Sequence, residues 1–262
     1  MTALNRLHVA LDTMGPLAIA VSGGIDSLTL ATAAHRYRPG QITMHHATSP
    51  AVPSEATART QTLARAEGWT LDIFDAGEFQ DPAYRANPTN RCFFCKTNLY
   101  GAIAARTTLK IASGTNTDDL GEYRPGLDAA RQHSVRHPYV EAGIDKPMIR
   151  DLAAILGLGT LADLPSAPCL ASRIETGIRI EAPILAMVHA AETLVTARLK
   201  PRTVRCRVRA RGVVVELDPG ALARLGEADG LREEVKTMAA QVGLTGPVAF
   251  AKYQIGSAFL HG

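Results

Sequence analysis

Residues 16–37 read PLAIAVSGGIDSLTLATAAHRY. An apolar run, Leu17 to Val21, enters Ser22, Gly23 and Gly24, and an apolar stretch of helical length follows. This predicts a strand, a glycine turn and a helix. Working outward, QITMHHATSP (41–50) reads as a second strand, PSEATARTQTLARAEG (53–68) as a helix and WTLDIFDAG (69–77) as a third strand. TTLKIASGTN (107–116) reads as a fourth strand ending in a polar Gly/Asn loop. Strands alternating with helices of about ten to fifteen residues predict right-handed crossovers and a mainly parallel α/β sheet.

The chain has 262 residues, 46% apolar and 20% charged, enough for one large domain or two unequal ones and ordinary for a globular protein. Disorder, collagen-like structure and coiled coil are excluded as overall descriptions. The first twenty residues carry no signal-peptide pattern and no apolar run is long enough to span a bilayer, so the expectation is a cytoplasmic protein without a membrane partner. The net charge is +3, too small to call for a nucleic-acid partner. It is unevenly spread, +4 from Ile184 onward against −1 before it.

DKPMIRDLAAILGL (145–158) predicts a helix with Asp145 as N-cap, Pro147 in its first turn and Gly157 as its stop. The Pro/Gly-punctuated stretch 159–177 has no periodicity, and a domain boundary is placed around residues 176–184. This gives units 1–180 and 181–262. The second unit is expected to be small and α+β, with a helix (183–199), the strand-like run TVRCRVRARGVVVEL (203–217), a helix near 227–244 and a short apolar end.

The loop SGGIDS places Ser22, Gly23, Gly24, Asp26 and Ser27 between a strand and a helix. Free N–H groups and the positive dipole end can hold a phosphate there, glycines allow close approach, and serines add donors. It is neither a dinucleotide fingerprint nor a Walker A loop. Asp26 would repel phosphate unless Mg²⁺ lies between them. The plain alternative is a tight turn capped by Ser22 or Asp26. The SGGxDS pattern resembles the pyrophosphate loop of the N-type ATP pyrophosphatases, which adenylate a substrate and release diphosphate. That resemblance implies a Rossmann-like PP-loop domain for the first unit.

Four cysteines are too few for a disulfide scaffold. NRCFFCKTNLY (90–100) sets Cys92 and Cys95 at the spacing of a metal half-site, a redox pair or a cluster ligand pair. Cys169 lies in a proline-punctuated loop with Arg173 four residues on, a cation that favours thiolate. Cys206 alternates with arginines and shares a face with Val208, which makes it a core residue. Arg205, Arg207, Arg209 and Arg211 are expected on one face as an anion-binding surface, since like charges repel unless an anion or a partner subunit compensates.

SGGIDS, NRCFFCK, GTNTDDLGEYRPGLDAA, KPMIRDLAAILGL, APCLASRI and VRCRVRARG together resemble the LarE family, the ATP-dependent sulfur transferases of nickel-pincer cofactor synthesis. The resemblance implies an enzyme that adenylates a carboxylate of a pyridinium mononucleotide and converts it to a thiocarboxylate. Cys169 would handle sulfur, and Cys92, Cys95 and Cys169 would hold a [4Fe–4S] cluster. Lys96 and Gly114 are placed near ATP, Asp119 or Glu122 near metal or reacting groups, and Arg173, Arg205 and Arg207 near substrate. ATP and Mg²⁺ are the implied cofactors and a homo-oligomer, a hexamer in family members, the implied assembly. Glu192 is either part of a metal or intersubunit site or an exposed helix glutamate. The family's acidic closing segment is missing, with Gln254 where an acid is expected. Other readings are a PP-loop enzyme with another acceptor, for tRNA thiolation or for amidation as in NAD synthetase, and a non-catalytic nucleotide-binding protein with a structural metal.

Overall fold

Leu17 and Ile19 of the first strand point into one apolar cluster and Ala18 into another, so this strand is covered on both faces. That is why it reads as a continuous apolar run. The computed structural model describes residues 1–121, 124–164 and 168–254. Packing divides them into two units: Met1–Asp81 with Asn90–Ala167, and Pro82–Thr89 with the chain from Pro168 onward.

The first unit holds β1 (Leu17–Ala20), β2 (Ile42–Thr48), β3 (Leu71–Asp75) and β4 (Lys110–Ser113). All pairs are parallel and the order is β3-β2-β1-β4, so the expected α/β sheet is present. Leu7 and Leu11 of α1 (Ala3–Asp12), Leu28 of α2 (Ile25–Tyr37) and Ile149 and Leu152 of the helix Lys146–Ile155 pack with Leu17 and Ile19. On the other face, Tyr100 and Ile103 of the helix Arg91–Ala104 pack with Ala18, Phe74 and Ile111. The helix α3 (Ser54–Glu67) joins β2 to β3. Asp145 caps the helix Lys146–Ile155 as the sequence predicts, its carboxylate accepting the Met148 N–H at 2.9 Å.

Chain connections step from β1 to β2 to β3 on one side, then return to place β4 on the other side of β1. Ligands of open α/β sheets bind outside the carboxyl ends of the strands where the order reverses, here between β1 and β4.

The second unit is a mixed three-stranded sheet with helices Ala182–Leu199 and Leu231–Gln241. One expectation is corrected: the run 203–217 is two strands, β5 (Val204–Arg209) and β6 (Gly212–Leu217), in an antiparallel hairpin. The buried apolar residues are Cys206 and Val208, then Val213, Val215 and Leu217. The step from 208 to 213 is odd, and a continuous strand would put those two sets on opposite faces. The two-residue turn at Ala210 and Arg211 resets the phase. β7 (Val248–Lys252) pairs parallel to β6. Among the described residues no helix is long and apolar enough to cross a membrane.

Candidate active site

The turn from β1 into α2 is built around Ser27. Its hydroxyl donates to the Gly24 carbonyl at 3.1 Å, accepts the Ser22 N–H at 3.0 Å and lies 3.2 Å from the Ser22 hydroxyl. Gly23 has φ +79°, and a Cβ there would lie 2.5 Å from the Ala56 carbonyl oxygen, so only glycine lets the start of α3 back this loop. Arg59 of α3 donates to the Gly23 carbonyl at 2.9 Å. The first N–H groups of α2 have no intrahelical acceptors, leaving an anion-binding helix start.

Two buried aromatic rings brace it. The fully buried Tyr139 hydroxyl donates to the Asp26 carbonyl at 3.1 Å. His46, also fully buried, lies 2.8 Å through Nδ1 from the Val21 carbonyl and 2.9 Å through Nε2 from the Thr57 hydroxyl. The carbonyl can only accept, so Nδ1 carries the proton and Thr57 donates to Nε2 in the neutral ring. Burial lowers the pKa of His46, and likewise of His45 and His137. Below the unfolded value of about 6.5 the unfolded chain gains protons that the folded chain refuses, so stability falls as pH falls. His8 is lowered by burial as well, and buried Glu78, with its pKa raised, acts in the opposite sense, one group against four. The expected result is a melting temperature that declines from pH 7.5 to 5.5, with the slope reduced in His46→Gln.

Across the switch point, Gly114 packs directly on the helix start: a Cβ there would lie 2.9 Å from the Ser27 nitrogen. The following loop is held by the buried Asn116, whose side-chain oxygen accepts the Asp118 N–H at 3.0 Å, while Asp119 accepts the Asn116 N–H at 3.1 Å. Asp119 is also paired with Arg124 at 2.8 Å. Glu122 and Tyr123 lie outside the described residues. Lys96, on the helix Arg91–Ala104, reaches over the Tyr100 ring at 5.9 Å.

Sequence reasoning missed Lys146. Its ammonium donates to both oxygens of Asp26, at 2.5 and 2.6 Å. Asp26 is therefore a carboxylate ion-paired with a lysine 120 residues away. The signal lay in KPMIRDL, whose lysine opens a helix with no acid in its first turn to pair with it.

Cys92 and Cys95 are half-buried, Cys92 in the first turn of the helix Arg91–Ala104 and Cys95 at the start of its second. Cys169, in the second unit, is exposed and precedes the short 3₁₀ turn Leu170–Arg173. Among the described residues no three Cys, His, Asp or Glu side chains are gathered to hold a metal ion. Cys206 is fully buried, as expected, and burial pushes its thiol well above the ordinary range.

Arg173 is buried and committed inside its own unit. Its guanidinium forms a two-pronged pair with Glu192 at 2.9 and 3.1 Å and donates to the carbonyls of Pro168 and Cys169 at 2.7 and 3.2 Å. Glu192 also accepts the Cys206 N–H at 2.8 Å, so it is neither exposed nor one of a gathered metal set. This clamp fixes the backbone of the cysteine loop. Arg173→Met would leave a buried carboxylate uncompensated, and a loss of about 3 kcal/mol in urea unfolding is expected. Arg173→Lys should restore only part of this stability because the fork is lost.

The arginine stripe is corrected too. Arg207 is buried and donates to Glu216 at 2.9 Å and to the Ser172 carbonyl at 3.1 Å. Arg209 lies 3.5 Å from the same Glu216, and Arg211 falls in the turn beyond β5. The compensating charge is an acid on the neighbouring strand, which a reading along RCRVRAR alone does not reach. Arg205 donates to the Val204 carbonyl at 2.7 Å and lies 5.9 Å from the Tyr253 ring.

A parallel sheet whose first strand delivers Ser-Gly-Gly-x-Asp-Ser to a helix start, backed by Gly114 at the switch point, defines a member of the PP-loop superfamily. No protein-family model matches the sequence. The uncharacterized protein slr1717 of Synechocystis is 33% identical over 238 residues, 89% of this chain and 88% of that protein. The chain belongs to the same family as the Synechocystis protein. The pyridinium-3,5-bisthiocarboxylic acid mononucleotide synthase of Lactiplantibacillus plantarum is 27% identical over 231 residues, 86% of this chain and 82% of the synthase. The uncharacterized protein MJ0830 of Methanocaldococcus jannaschii is 26% identical over 155 residues, 57% of this chain and 60% of its own.

Proposed function

We propose that the protein is a LarE-type, ATP-dependent sulfur transferase that activates a carboxylate of a pyridinium mononucleotide and converts it to a thiocarboxylate, as a step of nickel-pincer cofactor synthesis. The observation that carries this is the Ser22–Ser27 loop at the start of α2, set beside the Lys146–Asp26 pair. Similarity to the Lactiplantibacillus synthase supports the choice of substrate.

A carboxylate is a poor electrophile. Its oxygen first attacks the α-phosphorus of ATP, diphosphate leaves, and an acyl-adenylate remains. The loop N–H groups and the serine hydroxyls stabilise negative charge on the departing diphosphate, with Lys146 and Lys96 supplying positive charge. Mg²⁺ would be held by Asp26, with Glu122 or Asp119 as further oxygen ligands, and would neutralise phosphate charge. The Cys169 sulfur then attacks the acyl carbon, AMP leaves and a thioester remains; loss of the Cys169 α-proton to solvent with cleavage of its Cβ–Sγ bond frees the thiocarboxylate and leaves dehydroalanine. Arg205 is the candidate for gripping substrate phosphate or carboxylate, Arg207 being engaged by Glu216. Arg173 acts by holding the Cys169 backbone.

The family resemblance also implies a [4Fe–4S] cluster on Cys92, Cys95 and Cys169. Because no such ligand set is gathered among the described residues, no step above runs through a cluster. We further propose that residues 1–180 carry ATP cleavage and residues 181–262 substrate and subunit contacts in a cytoplasmic homo-oligomer.

The test is mass spectrometry of products from ATP, Mg²⁺ and a panel of carboxylated pyridine nucleotides. AMP, diphosphate and a product with one carboxylate oxygen replaced by sulfur are expected. Absence of diphosphate release with every carboxylate would refute the proposal. Enzyme mass after turnover identifies the sulfur: a loss equal to H₂S marks the Cys169 side chain as its source, and an unchanged mass marks a sulfur supplied from outside the polypeptide.

A further inference from the structure

A cleft of about 290 Å³ in the first unit is lined by Thr43, His45, Thr70, Asp72, Arg106 and Thr107. It lies toward the amino-terminal half of β2 and β3, whereas the phosphate loop lies at the carboxyl end of β1. Nothing in the adenylation chemistry uses it.

Thr43 and His45 are two residues apart on β2 and share a face. Asp72 is the direct register partner of His45 on β3. The Thr43 hydroxyl lies 3.1 Å from His45 Nε2. His45 is only 5% exposed, its Nδ1 has no hydrogen-bond partner among the described residues, and Asp72 Oδ2 lies 3.5 Å from it. A carboxylate facing Nδ1 favours the tautomer with the proton on Nδ1. The Nε2 lone pair then faces the Thr43 hydroxyl, which donates to it. Burial lowers the pKa of the imidazole against the opposing pull of Asp72, which keeps it neutral and able to accept a proton near pH 7. The Arg106 guanidinium is fixed at the cleft wall, 4.3 Å over the Phe74 ring and 3.4 Å from Asp72.

We propose that Thr43, His45 and Asp72 form a second reactive centre, a hydroxyl–imidazole–carboxylate relay in which Thr43 takes an acyl group from an activated ester. The Thr43 oxygen attacks the acyl carbon and its proton passes to His45 Nε2. The carbon–oxygen bond to the leaving alcohol breaks and that alcohol takes the proton from His45. Water, deprotonated by the same nitrogen, then cleaves the Thr43 ester and releases the acid. Arg106 and the hydroxyls of Thr70 and Thr107 are the groups on the cleft wall that can face the tetrahedral oxyanion. Asp72 has to close only a few tenths of an ångström for a full hydrogen bond, ordinary for a catalytic pair without substrate.

This centre is independent of the sulfur-transfer reading, and the full-length chain tests it with p-nitrophenyl acetate and no ATP. A burst of nitrophenolate is expected, with one acetyl group in the intact mass and peptide mapping to Thr43. Thr43→Val, nearly isosteric, should remove the acetyl group. His45→Gln should slow acylation by about 10²-fold, and Thr43→Ser should retain it. Acetyl groups found only on lysines or cysteines, or an undiminished burst in folded Thr43→Val, overturn the proposal.

Discussion

Replacing Cys169 by alanine is expected to lower thiocarboxylate formation by on the order of 10³-fold or more, the scale seen when a covalent nucleophile is deleted. The side chain is exposed and the cysteine loop is held through the carbonyls of Pro168 and Cys169, not through the thiol. The substitution should therefore shift unfolding free energy by no more than about 0.5 kcal/mol. With sulfur delivery blocked, a single turnover should end at the acyl-adenylate, visible as AMP released on quenching. Thiocarboxylate formed at the unmodified rate would remove Cys169 from the reaction and leave adenylation untouched.

Removing the lysine that faces the phosphate loop is expected to have the next largest effect. Lys146→Met leaves the Asp26 carboxylate without the ammonium that now sits 2.5 and 2.6 Å from its two oxygens. Loss of a positive charge about 4 Å from a phosphate charge costs about 4 kcal/mol in the effective dielectric of such a site. A drop in kcat/KM for ATP of about 10² to 10³-fold follows. Both side chains are part-exposed, so the stability change should stay within about 1 kcal/mol. Lys146→Arg should recover a large part of the activity because it keeps the charge. A Lys146→Met protein with normal ATP cleavage would make the ion pair a structural contact only.

The two corrected regions show how far a sequence reading reaches. Its strands and helices in the first unit were legible because each rests on local signals: apolar runs, Asp145 and Pro147 at a helix start, glycines at turns. The loop Ser22–Ser27 was legible for the same reason, since the bonds of Ser27 to Ser22 and Gly24 that close it span at most five residues, whereas the residues that brace it from outside were not. The hairpin in 203–217 was missed because alternation looked continuous through the arginines and the phase slip at Ala210 and Arg211 lacks a strong turn pair.

Charge partners were the least legible feature. Four arginines along one strand look uncompensated until β6 brings Glu216 beside Arg207 and Arg209. Arg173 looks like a substrate ligand or a thiolate partner until the helix Ala182–Leu199 brings Glu192 to it. Asp26 looks like a bare metal ligand until Lys146 arrives.

By itself the sequence determined the parallel α/β sheet, the Ser-Gly-Gly turn from strand to helix and the buried state of Cys206, because these follow from periodicity and short-range geometry. Tertiary structure alone decided which charges are spent and which remain for chemistry. Lys146 meets Asp26 across 120 residues, and Asp72 meets His45 only through strand register. Electrostatic free energy depends on separations of a few ångströms, and along the chain such separations are undefined until the fold closes them.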